Sequence, residues 1–250
     1  MGFRRFAELQ DRLYAQNKWA VLAIFQAMDV AGKDGAIKAC HVGCQPAGMP
    51  SLFLQVSFCR RPRSRLSLAL HQVPAQSWAH RHLQPELLRG DASSPGASRV
   101  SGEQKIPSSL ITKDIRKKRF RDIRSFEPYL ARNGVVVVKF FLHLSKKEQQ
   151  RRFLERAETP EKNWKFSASD MAERNYRDEY QRAYEDMIQN TATKDSPWYV
   201  VPANNKWFTR LVVVAALIDT LASLDVAYPQ VDQERPKEIA TAKRMRLKSK

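Results

Sequence analysis

The stretch "AMDVAGKDGAIK", Ala27 to Lys38, sets a lysine behind a turn of small residues and ahead of a helix-forming segment. Phosphate chemistry asks for this pattern. Backbone N–H groups line a tight turn, a lysine offsets the negative charge, and a helix N-terminus faces the anion. Against G-x-x-x-x-G-K-S/T, Ala27 replaces the first glycine and Asp34 the hydroxyl residue, so two positions depart from the regular loop. Ala31, Gly32, Lys33, Asp34 and Gly35 are the expected phosphate-binding residues. A carboxylate inside such a loop, Asp29, is repelled by phosphate unless a cation intervenes, and Mg²⁺ held partly by Asp29 resolves the conflict. Asp29 and Lys33 are therefore the candidate catalytic pair, with Asp29 as metal ligand. The plainer alternative is a glycine-rich turn that opens an ordinary helix.

The elements that must hold this loop are visible on both sides of it. "WAVLAIF" is an unbroken apolar run of strand length, as expected for a strand buried on both faces of a parallel sheet. Before it, residues 3–16 form an amphipathic helix, with Phe6, Leu9, Leu13 and Tyr14 at helical spacing. The helix after the loop is expected to start near Gly35. Thr112 to Leu130 reads as helix, ended by Asn133-Gly134, and "VVVVKFFLHL" as a second buried strand. Ser145 caps a helix through Arg156, with Glu148 completing a capping box. "SASDMAERNYRDEYQRAYEDMIQN" is a long helix, "WYVVPA" a third strand, and Thr209 to Leu224 a largely buried helix. Strands alternating with helices give an α/β fold with a parallel sheet. His143, in a strand, reads as a core residue. Residues 1–230 form the single expected domain, and 231–250 a charged helix or tail.

Composition sets wider bounds. The 250 residues carry a net charge of +17, which implies a polyanionic partner such as nucleic acid, an anionic membrane surface or a phosphate polymer. The N-terminal segment lacks the apolar centre of a signal peptide, so a cytoplasmic location is expected. Leu211 to Leu224 is too short to span a bilayer. Cys40, Cys44 and Cys59 have no metal-ligand spacing.

With these motifs in hand, "FQAMDVAGKDGAIK" resembles the loop of the family-2 polyphosphate kinases, G/A-x-D-x-A-G-K-x-G. The resemblance resumes in "ITKDIRKKRFRDIRSFEPYLARNGVVVVKFFLHLSKKEQQRRFLER", in "EKNWKFSASDMAERNYRDEYQRAYEDMI" and in "PWYVVPANNKWFTRLVVVAALIDTL". It implies a P-loop kinase-like, three-layer α/β fold with a helical lid. The implied activity is magnesium-dependent phosphoryl transfer between inorganic polyphosphate and adenine or guanine nucleotides, by a homodimer or homotetramer, with no role for membrane or nucleic acid. The basic run that includes Lys113, Lys117, Lys118 and Arg121 then borders the polyphosphate path, where the plainer reading is a solvated helix face. Lys165 and Arg174 match the lid and could clamp phosphate, beside Trp164, Ser167 and Asp170. Lys206 and Arg210 are weaker candidates near a strand end.

Residues 39–103 do not fit the pattern. They hold all three cysteines and four of the five histidines, no acidic residue occurs between Gly35 and Pro85, and no strand or helix period is evident. A one-base offset offers a reason. "RHLQPELLRGD", Arg81 to Asp91, can be encoded so that the neighbouring frame reads "GIFNRSYYEE", close to the family's missing "FNRSYYEE" signature. The same offset applied to Ala39–Pro50 and to Ser51–Leu70 yields "HVMSGVNPQGC" and "VFSFKSPSAEDLDHDFLWR". A compensated frameshift is thus expected over about residues 39–103, with irregular backbone there. The competing readings are a catalytically dead frameshifted product and a basic protein that binds nucleic acid or another polyanion without chemistry.

Overall fold

The computed structural model of the protein describes residues 2–40, 53–55, 112, 114–161 and 176–230. In chain order these form α1 (Gly2–Gln16), β1 (Ala20–Ala27), α2 (Lys33–Cys40), β2 (Phe53–Gln55) and α3 (Ile115–Arg132). They are followed by β3 (Val135–His143), α4 (Lys146–Glu158), α5 (Arg177–Thr191), β4 (Trp198–Pro202) and α6 (Lys206–Ser223). All four strands are parallel, in the order β2-β1-β3-β4. β1 pairs with β3 along its whole length, from Ala20 with Val135 to Ala27 with Leu142. The chain turns from one side of β1 to the other after β2, and in open α/β sheets such a switch point opens a crevice at the strands' carboxyl ends.

The apolar runs of β1 and β3 follow from this position. Alternate residues Ala23, Phe25, Ala27, Val138, Phe140 and Leu142 enter one core with α1, α2 and α6. Leu22, Ile24, Val137 and Phe141 enter a second core with α3 and α5, through Phe120, Ile123, Tyr184 and Met187. Two helical layers around one sheet make the expected three-layer architecture, and both faces of the central strands must therefore be apolar. β4 is an edge strand whose Tyr199 and Val200 remain exposed.

Two polar residues of the inner strands are fully buried, Gln26 of β1 and Lys139 of β3. Lys139 Nζ donates to Glu127 Oε1 on α3 at 2.5 Å and to Thr191 O at the end of α5 at 2.8 Å. Its ammonium also lies 5.5 Å from the centre of the Trp198 ring, and Trp198 Nε1 donates to Thr191 Oγ1. Burial pushes Glu127 up and Lys139 down from their ordinary values, while each partner opposes that shift in the other.

Several boundaries differ from expectation. α2 begins at Lys33 rather than Gly35, because the carbonyl of Gly32 already accepts from Ala36 N. α3 begins at Ile115 and α6 at Lys206, a turn earlier than Thr209, since Asn205 O accepts from Thr209 N and its side-chain hydroxyl. The described part of the long helix is Arg177–Thr191. Within the segment expected to be irregular, Phe53–Gln55 pairs with β1 as a strand. His143 is exposed at the end of β3 and is not a core residue. The helical lid and residues 231–250 lie outside the described residues.

The buried pair yields a test. Lys139→Met strands the Glu127 carboxyl in the core and is expected to cost about 3–5 kcal/mol in urea unfolding. Adding Glu127→Leu should recover most of that loss, because no uncompensated charge then stays buried. A single variant as stable as the parent would contradict this account.

Candidate active site

The loop leaves β1 at Ala27 and reaches α2 in five residues. Met28 is buried and Asp29 and Val30 are half-buried. Ala31 N donates to Met28 O at 3.3 Å, closing the turn. Val30 has φ +57° and Gly32 φ +93°. The left-handed region is ordinary for glycine and strained for a β-branched valine, so Val30 needs outside support.

That support is Arg152, only 6% exposed on α4. Its Nη1 donates to Val30 O and Ala31 O, both at 3.1 Å, and its Nη2 to Ala203 O at 2.7 Å and Asn204 O at 3.0 Å. Nε donates to Glu148 Oε1 at 2.8 Å. One guanidinium thus joins the loop after β1 to the turn after β4. Glu148 also accepts from Arg151 Nε and Nη2. These bonds, from Arg151 foremost and also from Arg152, hold its carboxyl at about 2, against the opposing effect of burial.

Here the expected capping box is only half made. Ser145 Oγ accepts from Glu148 N, but Glu148 turns its carboxylate to the arginines, and Ser145 N donates instead to Asn204 Oδ1. That bond ties α4 to the turn after β4 a second time. Other strand-end carbonyls are also taken. Tyr184 Oη donates to Ala27 O at 3.0 Å, and Arg177 Nη2 to Leu144 O at 2.8 Å. The carboxyl edge of a parallel sheet would otherwise turn several carbonyl oxygens toward the crevice, a poor setting for an anion.

Asp29, Ala31, Gly32, Lys33, Asp34 and Gly35 are therefore gathered at one loop–helix junction, as expected, with Lys33 the first residue of α2. Arg210 of α6 joins them. Its Nη2 lies 3.2 Å from where a Cβ on Gly35 would sit, so the glycine admits the guanidinium against the first turn of α2. Lys206 is exposed at the start of α6. The basic run on α3 divides in two. Arg116 pairs with Asp186 of α5 at 2.5 Å, and Arg119 is buried, its guanidinium lowered by that burial with Asp122 opposing. Lys117, Lys118 and Arg121 are exposed. Lys113, Trp164, Lys165, Ser167, Asp170 and Arg174 lie outside the described residues.

Arg152 and Arg177 were not singled out from sequence. Arg152 follows Glu148 by four residues, the spacing of an ordinary surface pair on a helix. The available signal was Gln149, Arg152 and Phe153, which share the buried side of α4.

A strand, a tight turn and a helix at the carboxyl edge of a parallel three-layer sheet define a P-loop kinase-like α/β protein. Comparison with known proteins goes further: the family profile Polyphosphate kinase 2 (PPK2) matches residues 3–54 and 102–229, and the chain belongs to that family. The match continues past Ala39 to Leu54, beyond the point where the codon offset was expected to begin. The ADP-polyphosphate phosphotransferase of Rhodopseudomonas palustris is 40% identical over 258 residues, covering 98% of this chain and 85% of that protein. The AMP/ADP-polyphosphate phosphotransferase of Meiothermus ruber is 36% identical over 228 residues, covering 91% and 81%. The crystal structure of polyphosphate kinase 2 from Arthrobacter aurescens superposes with a TM-score of 0.67 at 28% identity, covering 96% of this chain and 83% of that one. Among the described residues, no helix is long and apolar enough to cross a membrane.

The left-handed turn gives a second test. In Gly32→Ala the new methyl has room, 3.6 Å from Arg152 Nη1, so the penalty is one of backbone conformation. A loss of about 1–2 kcal/mol is expected, roughly 2–8 °C in the thermal midpoint. An unchanged midpoint would show that the turn is not held as described.

Proposed function

We propose that the chain transfers phosphoryl groups reversibly between inorganic polyphosphate and nucleoside mono- or diphosphates, ADP and AMP among them, with adenine or guanine as base. The observation that carries this reading is the loop itself: Asp29 and Lys33 sit on either side of a left-handed turn at the end of β1, in a chain of the polyphosphate kinase 2 family. Such transfer needs little covalent help from the protein, so positioning and electrostatics dominate. The first-turn amides of α2 precede its first intrahelical bond, Ala36 N to Gly32 O, and suit a phosphate. Lys33 offsets charge on the transferring group, and Arg210 adds a second cation at the same helix end. Lys117, Lys118 and Arg121 offer charges to a long polyanion, with Lys113, Lys165 and Arg174 assigned to the same role by resemblance.

Asp29 presents one hard oxygen ligand beside the phosphate cradle. Mg²⁺ takes one or two carboxylates and completes its shell with phosphate and water, so this donor fits it. When bound beside Asp29, the ion would supply positive charge against the phosphates. Assembly as a homodimer or homotetramer belongs to the same reading, supported by the exposed Val200, Trp207, Phe208 and Leu211. So does a cytoplasmic location.

In the presence of polyphosphate, ADP and Mg²⁺ the frame-restored chain should form ATP, and no product with ADP or AMP as acceptor would overturn the proposal. Lys33→Ala should cost on the order of 3 kcal/mol or more in the transition state, about 100-fold in turnover. Asp29→Asn should weaken the response to Mg²⁺ titration. Near-normal turnover in both variants would put the phosphate site elsewhere.

The compensated frameshift over about residues 39–103 is part of this proposal. Supporting it are the acid-free run from Ala36 to Gln84 and, for residues 55–101 alone, the gap in the family match, which ends at Leu54 and resumes at Gly102. Expressed side by side, a frame-restored chain should be more soluble and more active than the chain as it stands. Equal solubility, equally cooperative melting and a comparable rate would reject the frameshift.

A further inference from the structure

We propose that Arg152 is a positioning residue for phosphoryl transfer, acting through the phosphate loop rather than on the substrate. The inference rests on the phosphotransferase reading and adds to it the device that keeps the loop in shape.

Four carbonyls converge on the Arg152 guanidinium. Val30 O and Ala31 O come from the loop after β1, and Ala203 O and Asn204 O from the turn after β4. A planar peptide unit sets its N–H opposite to the preceding C=O. With Val30 O drawn to Arg152, the next N–H, that of Ala31, points away and closes onto Met28 O. With Ala31 O drawn the same way, the N–H of Gly32 is also turned from the guanidinium, toward the side where α2 begins. Arg152 therefore fixes the orientation of the two peptide planes that flank Ala31, the first of which begins at the strained Val30, φ +57°. The second of these planes ends at Gly32, whose φ of +93° then leads into Lys33.

Arginine is required for geometric reasons. Its planar fork carries five N–H donors in fixed directions, and here each nitrogen has its own acceptors: Nε on Glu148, Nη1 on the loop and Nη2 on the β4–α6 turn. A lysine ammonium concentrates its donors on one atom and cannot span both segments. Glu148 anchors the near end of the fork, and Arg152 sits on the buried side of α4 with Phe153. The Asn204 end of the clamp leads within two residues to α6, which carries Arg210 against Gly35. One side chain thus sets the spacing between the loop with Lys33 and the helix with Arg210.

Full-length chain, Arg152→Lys and Arg152→Gln are compared with Ile123→Ala, a variant of the α3 core, at a temperature where all four are folded by circular dichroism. Amide hydrogen exchange is followed over residues 28–35, with and without inorganic pyrophosphate, alongside steady-state ATP formation from ADP and polyphosphate. In both Arg152 variants, exchange over 28–35 should rise roughly tenfold while β3 is unchanged, and pyrophosphate should no longer protect the loop. Turnover should fall about 100-fold, as a misplaced catalytic group does. Ile123→Ala should lower the melting temperature yet keep wild-type loop exchange and turnover. Unchanged loop exchange in Arg152→Lys would overturn the proposal, as would equal losses in Ile123→Ala. Should the frame-restored parent also form no ATP, the phosphotransferase reading falls and the exchange measurement alone decides the role of Arg152.

Discussion

The bonds donated by Arg152 join the loop after β1 to the turn after β4, at the carboxyl edge of a parallel sheet where carbonyl oxygens make a poor setting for an anion. Strand-end carbonyls direct partial negative charge into the crevice where the ligand must sit. Arg152 takes two carbonyls of the loop after β1 and two of the turn after β4, while Tyr184 takes the last carbonyl of β1, Ala27 O, and Arg177 takes Leu144 O just past β3. Hydrogen bonds from a charged donor are stronger than neutral ones, and inside a low-dielectric edge they tolerate little slack. The same guanidinium supports a valine in a backbone region that valine avoids. Loop shape, crevice electrostatics and the placement of α6 thus hang on one side chain from a helix that carries none of the loop's own residues.

The sheet beneath imposes the second constraint. β1 and β3 are covered on both faces, so their inner side chains must suit a core, and Gln26 and Lys139 are the two buried polar exceptions, of which Lys139 carries a charge. It is accommodated because three elements meet it with a carboxylate, a carbonyl and an aromatic ring. Such a group contributes little net stability compared with a well-packed apolar residue. Its partners do, however, fix how the ends of α3 and α5 lie on the strand, and α5 is the helix that sends Tyr184 and Arg177 to the strand ends.

How much of this could be read from sequence follows from the range of each interaction. β1 and β3 were legible because burial on both faces leaves an unbroken apolar run. The loop was legible because Asp29, Gly32 and Lys33 lie within five residues. The half-made cap at Ser145 was legible only in part: its link to Glu148 is local, whereas the choice of Glu148 to hold Arg151 and Arg152 depends on what Arg152 reaches. Arg152 and its loop partners are separated by about 120 positions, and nothing local distinguishes it from a solvated helix arginine. Lys139 reads as a blemish in an apolar run until Glu127 and Thr191 are brought beside it. The left-handed Val30 was likewise invisible, since residue type argues against that conformation.

The pairing of Ala20 with Val135 through Ala27 with Leu142 has a consequence for how the chain comes to be folded. The two innermost strands are neighbours in space and more than a hundred residues apart along the backbone, so the central ladder is closed late. The entropy of closing a loop grows only with the logarithm of its length, about 0.6 kcal/mol for each doubling. A stretch unlike the rest of the family can therefore lie between these strands at small cost to the closed sheet. The cost falls on time instead. During synthesis β1, apolar on both faces, emerges long before β3 exists, and for that interval its edge is open to whatever other strand it meets.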